Sequence, residues 1–144
     1  MRSHFYLDAT ELEQDWVRIG PLFDSVVCRA VHGEFDGNDL KEMALSGEIV
    51  IGAFFADDGE MLLAFAFEFR FYPKKTAINI LALGGKRMES VFSGFLDQFK
   101  HWAAAAGADF LEASCSEGMS RMLARYGYVK TYQQLRLDLK RGGK

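Results

Sequence analysis

One segment of the chain, "MLLAFAFEFRFY" at residues 61–72, alternates large apolar side chains with small or charged ones. A strand places alternate residues on opposite faces, so one face carries four phenylalanines: Phe65, Phe67, Phe69 and Phe71. We interpret that face as turned towards the core, because large apolar groups are normally buried. The other face begins with Ala64 and Ala66, whose small side chains allow a helix to pack closely on it.

Two neighbouring strands are expected to complete an antiparallel meander. "EIVIGAFF" at residues 48–55 is joined to the phenylalanine strand by "ADDGE", in which Asp-Gly provides the positive φ that tight hairpins need. "YPKK" then turns the chain into "TAINILAL" at residues 76–83. A further short strand is expected near the start of the chain, at Ser3–Leu7.

Two helices are predicted before the meander. "TELE" at Thr10–Glu13 has the spacing of a capping box, in which two side chains satisfy free amides at a helix start. The helix that follows is expected to bend or split at Pro21, and its apolar stripe consists of Trp16, Ile19, Leu22, Phe23, Val26 and Val27. A second, short helix is expected to be capped by Asp36 or Asn38 and to stop at Gly47.

The region after the meander predicts a helix, a strand, a second helix and a final strand. The strongest helix runs from about Met88 to Ala106, and Gly107 ends it in the left-handed conformation. "DFLEAS" then forms a strand, which a right-handed crossover places parallel to Thr76–Leu83. A short helix in "SEGMSRMLARYG" ends at Gly127, and Tyr128–Leu139 is expected to form a strand or a strand pair.

This order of elements predicts a single domain over residues 1–144, of the α/β (α+β) class. The expected sheet is mixed, an antiparallel meander plus a parallel strand, with helices on both faces. The change from antiparallel to parallel neighbours after Leu83 is a place where two strands can separate and leave a ligand cleft.

The composition says more about the cellular location of the protein than about its activity. The two cysteines, Cys28 and Cys115, are too few for a disulfide framework, and no apolar run is long enough to span a membrane. A cytoplasmic location is therefore expected. The net charge of −3 divides unevenly, with 14 acids and 5 bases in residues 1–72 but 6 acids and 12 bases in residues 73–144. Such a division favours self-association or an acidic partner, unless the fold mixes the two signs.

Other chemistries have weaker support. Cys115 follows a predicted strand and precedes a helix, so it is either a nucleophile activated by the helix or a small buried apolar residue. The three histidines share no spacing typical of metal ligands, and no metal is expected. Lys74 and Lys75 are separated by about 26 Å of strand from Lys86 and Arg87, so nucleic-acid binding is not favoured.

Four segments carry a family resemblance: "VRIGPLFDSVV", "YPKKTAINILALGG", "FKHWAAAAGADFLEA" and "GMSRMLARYGYV". The element order resembles the GNAT fold, that of the Gcn5-related N-acetyltransferases, over about Ala9–Leu139, and the closing pattern "MSRMLARYGYVKTYQQLRLDL" resembles the family's last helix and strands. The four segments together are similar to GNAT-like proteins of tailed phages and prophages, among them internal virion and acetyltransferase-like proteins. That resemblance implies a location in the host-cell cytoplasm, with incorporation into a virion.

GNAT enzymes bind the pyrophosphate of acetyl-CoA at a Q/R-x-x-G-x-G/A motif after the fourth strand. Glycines let backbone amides approach the phosphate, and the positive end of a helix dipole favours the anion. The resemblance places this site at Leu83, Gly84, Gly85, Lys86 and Arg87. The spaced glycines and the leading Gln or Arg are absent here, and Glu89 adds a repulsive carboxylate to the first helical turn.

Other family positions differ as well. Leu123 stands where the family usually has a tyrosine as general acid towards the CoA thiolate, and Ser116 stands where it often has an asparagine. Tyr126 is interpreted as a packing or surface residue, because three residues along a helix turn about 300°. Glu68 and Glu112 are candidates for the general base that takes a proton from an amine, or else are solvated or salt-bridged carboxylates.

Two functions follow from the resemblance, and the fold alone does not decide between them. The absent motif residues favour a GNAT-like phage protein with a degenerate acetyl-CoA site, which needs no cofactor and acts in a virion with other virion or host proteins. The alternative is an acetyl-CoA-dependent N-acetyltransferase whose divergent loop binds the pyrophosphate. Regulation or inhibition of a host enzyme is a third possibility.

Overall fold

A computed structural model describes residues 1–24 and 35–140. None of the helices in these residues is both long enough and apolar enough to cross a membrane. The described residues form five strands and four helices, in the order β1 Arg2–Tyr6, α1 Ala9–Asp24, α2 Gly37–Leu45, β2 Val50–Phe55, β3 Met61–Phe71, β4 Thr76–Gly85, α3 Met88–Ala105, β5 Phe110–Ala113 and α4 Glu117–Ala124.

The strands form one mixed sheet in the order β1-β2-β3-β4-β5. The first four strands are antiparallel neighbours, and β5 pairs with β4 in parallel after the crossover through α3. This is the predicted meander plus parallel strand, and the predicted fold class is confirmed.

Each face of the sheet is covered by its own pair of helices. The phenylalanine face of β3 packs against α3 and α4 in an aromatic core that includes Phe54, Phe65, Phe67, Phe92, Phe95 and Phe99. The opposite face presents Ala64, Ala66 and Ala82 to α1 and α2. Small side chains on that face let the helices approach the sheet, so the prediction of helices on both faces is confirmed.

Local signals at helix ends are mostly confirmed. Asp36 caps α2 through a reciprocal capping box with Asp39, and Gly47, Gly107 and Gly127 all have positive φ after a helix. The "TELE" box is not the start of α1, which begins one residue earlier at Ala9.

The expected split of the first helix at Pro21 is absent, because α1 continues through it to Asp24. A proline inside a helix leaves the carbonyl four residues earlier without its donor. That residue is Val17, which is exposed, so water can hydrogen-bond its carbonyl. Of the apolar stripe predicted for this helix, Val26 and Val27 lie outside the described residues.

The final strand or strand pair predicted at Tyr128–Leu139 is wrong. Residues 128–139 form no strand, although their side chains alternate in the way that predicts one. Five of them expose large apolar side chains almost completely: Val129, Tyr132, Leu135, Leu137 and Leu139. A strand needs a neighbouring edge to satisfy its backbone, and the segment pairs with none in the described chain.

Candidate functional site

Strands β4 and β5 separate halfway along β4. The parallel pairing begins at Ala77 with Phe110 and stops at Ile80 with Ala113. Strand β4 continues to Gly85, so its last five residues have no strand beside them on the β5 side within the described chain. The sheet therefore opens into a gap at the place where the sequence predicted a cleft.

A β-bulge explains where the strands separate. In the pairing of β3 with β4, Ala66 faces Ala82 and Phe67 faces Ile80, so Leu81 is an extra residue without a partner. A bulge bends its strand and increases the local twist, and bulges are common beside active sites. The sequence shows no sign of this bulge, because "TAINILAL" reads as an uninterrupted strand.

A cavity of about 2340 Å³ opens on the β5 side of this gap. It is lined by Asn79, Ile80 and Leu81 of β4, by the whole of β5, by the start of α4 and by residues 126–136. The predicted pyrophosphate residues Leu83, Gly84, Gly85, Lys86 and Arg87 do not line it. The cavity and that loop are thus separate features, connected by the open edge of β4.

The double glycine lies inside the strand rather than in a phosphate-binding turn. Gly84 pairs with Ala64, Gly85 pairs with Leu63, and neither glycine has positive φ. A Cβ on Gly85 would lie 2.6 Å from the backbone oxygen of Leu62. The close approach of β3 is therefore sufficient reason for a glycine at position 85, whatever else it binds.

Lys86 and Arg87 are the two residues that connect β4 to α3, and each already has one interaction with β3 or the turn before it. The backbone amide of Lys86 donates to Leu62 over 3.3 Å, and the Arg87 guanidinium pairs with Glu60 at 3.1 Å. The Lys86 side chain is exposed and has no ion-pair partner among the described residues. The amides of Met88 and Glu89 have no acceptor there either, as is usual in a first helical turn.

Glu68 and Glu112, the two candidate bases, are brought together by Arg70. The Arg70 guanidinium donates to Glu68 over 3.2 Å and to Glu112 over 3.4 Å. Glu112 also accepts from the Tyr72 hydroxyl at 2.6 Å. The two carboxylates come from β3 and β5 and form one polar cluster with Arg70, as the salt-bridge reading of these residues expects.

Asn79 lies between the two glutamates and was not identified from the sequence. It pairs with Glu68 across β3 and with Glu112 across β5, and its side-chain nitrogen donates to Glu68 over 3.0 Å. Its residue is only 3% exposed, yet its Oδ1 has no hydrogen-bond partner among the described atoms. A buried acceptor without a partner is costly, so this atom is suited to receive a donor from a ligand.

Tyr128 places a second unpaired polar atom at the cavity. Its hydroxyl is buried and has no hydrogen-bond partner in the described chain. Burial, with a smaller contribution from Cys115, raises the pKa of Tyr128 to about 12. The side chain therefore keeps its proton throughout the physiological range. The sequence offered no signal for it beyond an aromatic residue directly after the glycine that ends α4.

Neighbouring residues have simpler roles. Leu123 is buried in the aromatic core, and Tyr126 packs edge-on against Phe92 with ring centroids 4.9 Å apart, which confirms its interpretation as a packing residue. Cys115 is exposed, so the expectation of a small buried apolar residue is wrong. Desolvation of its thiol, together with Glu117, raises the pKa of Cys115. A raised pKa disfavours the thiolate, so this cysteine lacks the activation that a nucleophile needs.

No group of three or more His, Cys, Asp or Glu side chains within residues 1–24 and 35–140 is placed to hold a metal ion.

Comparison with solved structures identifies the fold. A ribosomal-protein-alanine N-acetyltransferase from Brucella melitensis biovar Abortus 2308 superposes with a TM-score of 0.71 at 11% identity, covering 96% of this chain and 100% of that chain. A predicted acetyltransferase from Clostridium acetobutylicum, solved with acetyl-CoA, gives 0.64 at 15% identity and covers 96% of both chains. An acetyltransferase from Trypanosoma brucei gives 0.59 at 14% identity, covering 96% and 100%.

Sequence comparison adds no closer assignment: no protein-family model and no curated protein matches this chain. At identities below 20% the structural likeness concerns the fold, and a fold does not by itself determine an activity. The chain nevertheless matches these acetyltransferases over nearly its whole length. This protein has the GNAT fold.

Proposed function

We propose that this protein binds acetyl-CoA in the gap between β4 and β5 and transfers the acetyl group to an amine. The observation that carries the proposal is the gap itself: the edge of β4 that no described strand covers leads from the cavity to the first turn of α3. The likeness to acetyltransferases, one of them solved with acetyl-CoA, supports it.

Several groups along the gap fit the cofactor. Leu81–Gly85 offers backbone groups to an extended polar arm, and that stretch of strand is about 13 Å long. At its end the amides of Met88 and Glu89 and the Lys86 ammonium are suited to pyrophosphate, because helix starts and cations both attract anions. The Glu89 carboxylate is exposed in the same turn and opposes the anion, so we expect weak pyrophosphate binding compared with a loop of spaced glycines.

Tyr128 is the best-placed proton donor in the described chain. Acetyl-CoA supplies an activated thioester, whose thiol is released as the acetyl group moves to the amine. The protonated hydroxyl of Tyr128, buried at the cavity without a partner, can donate to the departing sulfur. It takes the role that the family position at Leu123 does not provide.

The polar cluster on β3, β4 and β5 is suited to hold the amine. Asn79 Oδ1 can accept an N–H from the substrate, and Glu68 or Glu112 can accept the proton that the nitrogen loses. The Arg70 guanidinium forms an ion pair with each of the two carboxylates and offsets the repulsion between them.

The alternative predicted from the absent motif residues is a GNAT-like scaffold with a degenerate acetyl-CoA site, which needs no cofactor and acts through contacts with other proteins. Its observation is that Arg87 is paired with Glu60 and that Gly85 is explained by strand packing, which removes two of the predicted pyrophosphate contacts. A role in a phage virion has no support among the structural neighbours, which are acetyltransferases, and stays a prediction from the sequence.

Binding and turnover separate these functions. Acetyl-CoA at 100 times its Kd should stabilise the wild type by about 2.7 kcal/mol, several degrees in Tm for a domain of this size. Lys86→Glu should weaken that shift, whereas Arg125→Glu, an equal charge change at an exposed residue outside the gap, should preserve it. Tyr128→Phe should keep the shift but lower kcat for amine acetylation about 100-fold or more.

The outcomes are distinct. A thermal shift with no turnover on any of a panel of primary amines supports cofactor binding but contradicts the proposed transfer to an amine. Absence of both a shift and turnover rules out the proposed acetyltransferase and supports the scaffold that needs no cofactor. Equal turnover in the wild type and in Tyr128→Phe removes the role assigned to Tyr128 while leaving the proposed activity in place.

A further inference from the structure

Two aromatic side chains are exposed on the sheet face that carries the polar cluster of Glu68, Arg70 and Glu112. Tyr72 directly follows β3, Phe110 begins β5, and their rings stack with centroids 6.3 Å apart. Both side chains belong to the large apolar groups that this protein leaves in contact with solvent. Aromatic rings that are exposed beside one another are typical of a surface that binds a ligand or a partner.

The acidic groups at this end of the sheet already have partners. Glu68 and Glu112 pair with Arg70 at 3.2 Å and 3.4 Å. The carboxylate of Asp109 accepts the backbone amide of Thr76 over 2.8 Å. Each of these carboxylates is bound by a donor of the same chain, so none of them needs a cationic ligand.

The basic groups of the turn between β3 and β4 have no such partner. Lys74 and Lys75 are exposed, and neither side chain makes an ion pair or a hydrogen bond within residues 1–24 and 35–140. The carbonyl of Lys75 accepts the amide of Tyr72 over 2.8 Å, which extends the pairing of the two strands by one residue. Because alternate residues share a face, Lys75 lies on the same face as Asn79. The unpaired charge on this face is therefore positive and favours an anionic group.

Asn79 and the two lysines line one cavity, but they lie too far apart for a small ligand to contact both. Asn79 Oδ1 is buried without a hydrogen-bond partner among the described atoms, so it marks one end of the site. Lys75 precedes Asn79 by four residues of extended chain, a length of about 13 Å. Phe110 lies beside Ala77, between these two ends. An extended peptide covers the same distance with about four residues.

We propose that the acceptor is the N-terminal amine of a peptide or protein whose third to fifth residues are acidic, a proposal that rests on the acetyltransferase activity proposed above. The amine binds at Asn79 Oδ1, the peptide lies over Phe110, and its acidic side chains contact Lys74 and Lys75. The terminal nitrogen forms the new amide bond as the thioester C–S bond breaks. It loses its proton to a glutamate of the polar cluster, and the released sulfur gains one.

The test compares acceptors that differ only in charge and length. Three heptapeptides share a free N-terminus and an amidated C-terminus, and carry Glu-Glu, Gln-Gln or Lys-Lys at positions 4 and 5. A fourth acceptor is β-alanine, a small amine with its own carboxylate. Release of CoA thiol with the full chain measures kcat and KM for each. KM should be about tenfold lower for the Glu-Glu peptide than for the Lys-Lys peptide, with similar kcat, because the lysines touch no reacting atom.

Charge reversal identifies the residues that select the peptide. Lys74→Glu combined with Lys75→Glu should reverse the order of KM, so that the Lys-Lys peptide becomes the better acceptor. The control combines Arg125→Glu with Lys140→Glu, an equal charge change at exposed residues that do not line the cavity, and should keep the wild-type order. All four residues are exposed, so circular dichroism should show an intact fold in both variants.

The remaining outcomes separate failure of this proposal from failure of the proposed activity. If no acceptor is acetylated, both are wrong. If the three peptides have equal KM, or if β-alanine is the best acceptor, the activity stands and selection of an acidic peptide is wrong. If the Glu-Glu peptide is preferred equally by the wild type and by the lysine variant, another surface selects the acid and the role of Lys74 and Lys75 is wrong.

Discussion

The meander and the region after α3 have similar sequence patterns, but their strands are paired and covered to different extents. Strands β3 and β4 pair over nine residue pairs and are covered on both faces, whereas β5 pairs over four and has no further strand beside it within residues 1–24 and 35–140. The alternating segment of residues 61–72 is mostly buried, and the alternating segment of residues 129–139 is exposed. Alternation therefore predicts a strand only where a second edge and a covering helix are present.

The two regions are expected to respond differently to substitution. The aromatic side chains of the meander are densely packed, so adding or removing side-chain volume there destabilises the fold. The gap, the cavity and the Tyr128 hydroxyl lie beyond the paired part of β4, and Asn79 lines the same cavity from within the paired part. We expect substitutions in the aromatic core to change stability and substitutions at residues that line the gap and the cavity to change binding.

The largest expected effect is at Phe95, which is 0% exposed and packs against the rings of Phe54, Phe65 and Phe99. Phe95→Ala should lower the free energy of unfolding by about 3–5 kcal/mol, because it leaves a cavity in the aromatic core. Urea denaturation measures the change. Leu137→Ala is the matched control and should change stability by about 0.5 kcal/mol or less, because Leu137 is exposed. Equal losses in the two variants would contradict the comparison.

A smaller effect is expected at Gly85, where the sequence predicted a phosphate contact and the structure places a strand–strand approach. Gly85→Ala should destabilise the fold by about 1–3 kcal/mol, because the new Cβ would meet the Leu62 carbonyl oxygen at 2.6 Å. Gly94→Ala is the control. Its Cβ would make an ordinary 3.7 Å contact inside α3, and alanine in a helix should stabilise by about 0.5–1 kcal/mol. If Gly85→Ala kept its stability but lost acetyl-CoA binding, the glycine would serve the cofactor instead.

The smallest effect is expected at Tyr128 and depends on pH. Its pKa is raised from 10.0 to about 12, so below pH 10 both the folded and the unfolded states are protonated and the stability is fully present. Between pH 10 and pH 12 the unfolded state ionises first, so stability falls, by about 1 kcal/mol at pH 11. Urea midpoints between pH 8 and pH 11 should decline less in Tyr128→Phe than in the wild type. Burial also raises the pKa of Tyr6, which remains in both proteins, so the difference between them reports Tyr128 alone. Parallel declines would show that the Tyr128 hydroxyl is not buried.

The candidate site was predictable only in part. The region of the cleft followed from the change of strand direction after Leu83, and the meeting of Glu68 with Glu112 did not, because it requires the register of three strands. Asn79 and Tyr128 were not identified, since their importance lies in burial without a partner, which no local pattern reveals. The resemblance assigned the double glycine to a pyrophosphate site after the strand, whereas both glycines pair within β4 and β3 approaches Gly85 closely in space.

The periodicity of apolar residues determined the helices and the strands of the meander, and the glycines that end helices are a second local signal, because both depend on residues close together along the chain. Tertiary structure alone decided where β4 bulges, where the sheet opens and whether residues 129–139 have an edge to join. These features depend on contacts between residues distant in sequence, and the same alternating pattern stabilises a strand only when another chain segment satisfies its backbone hydrogen bonds.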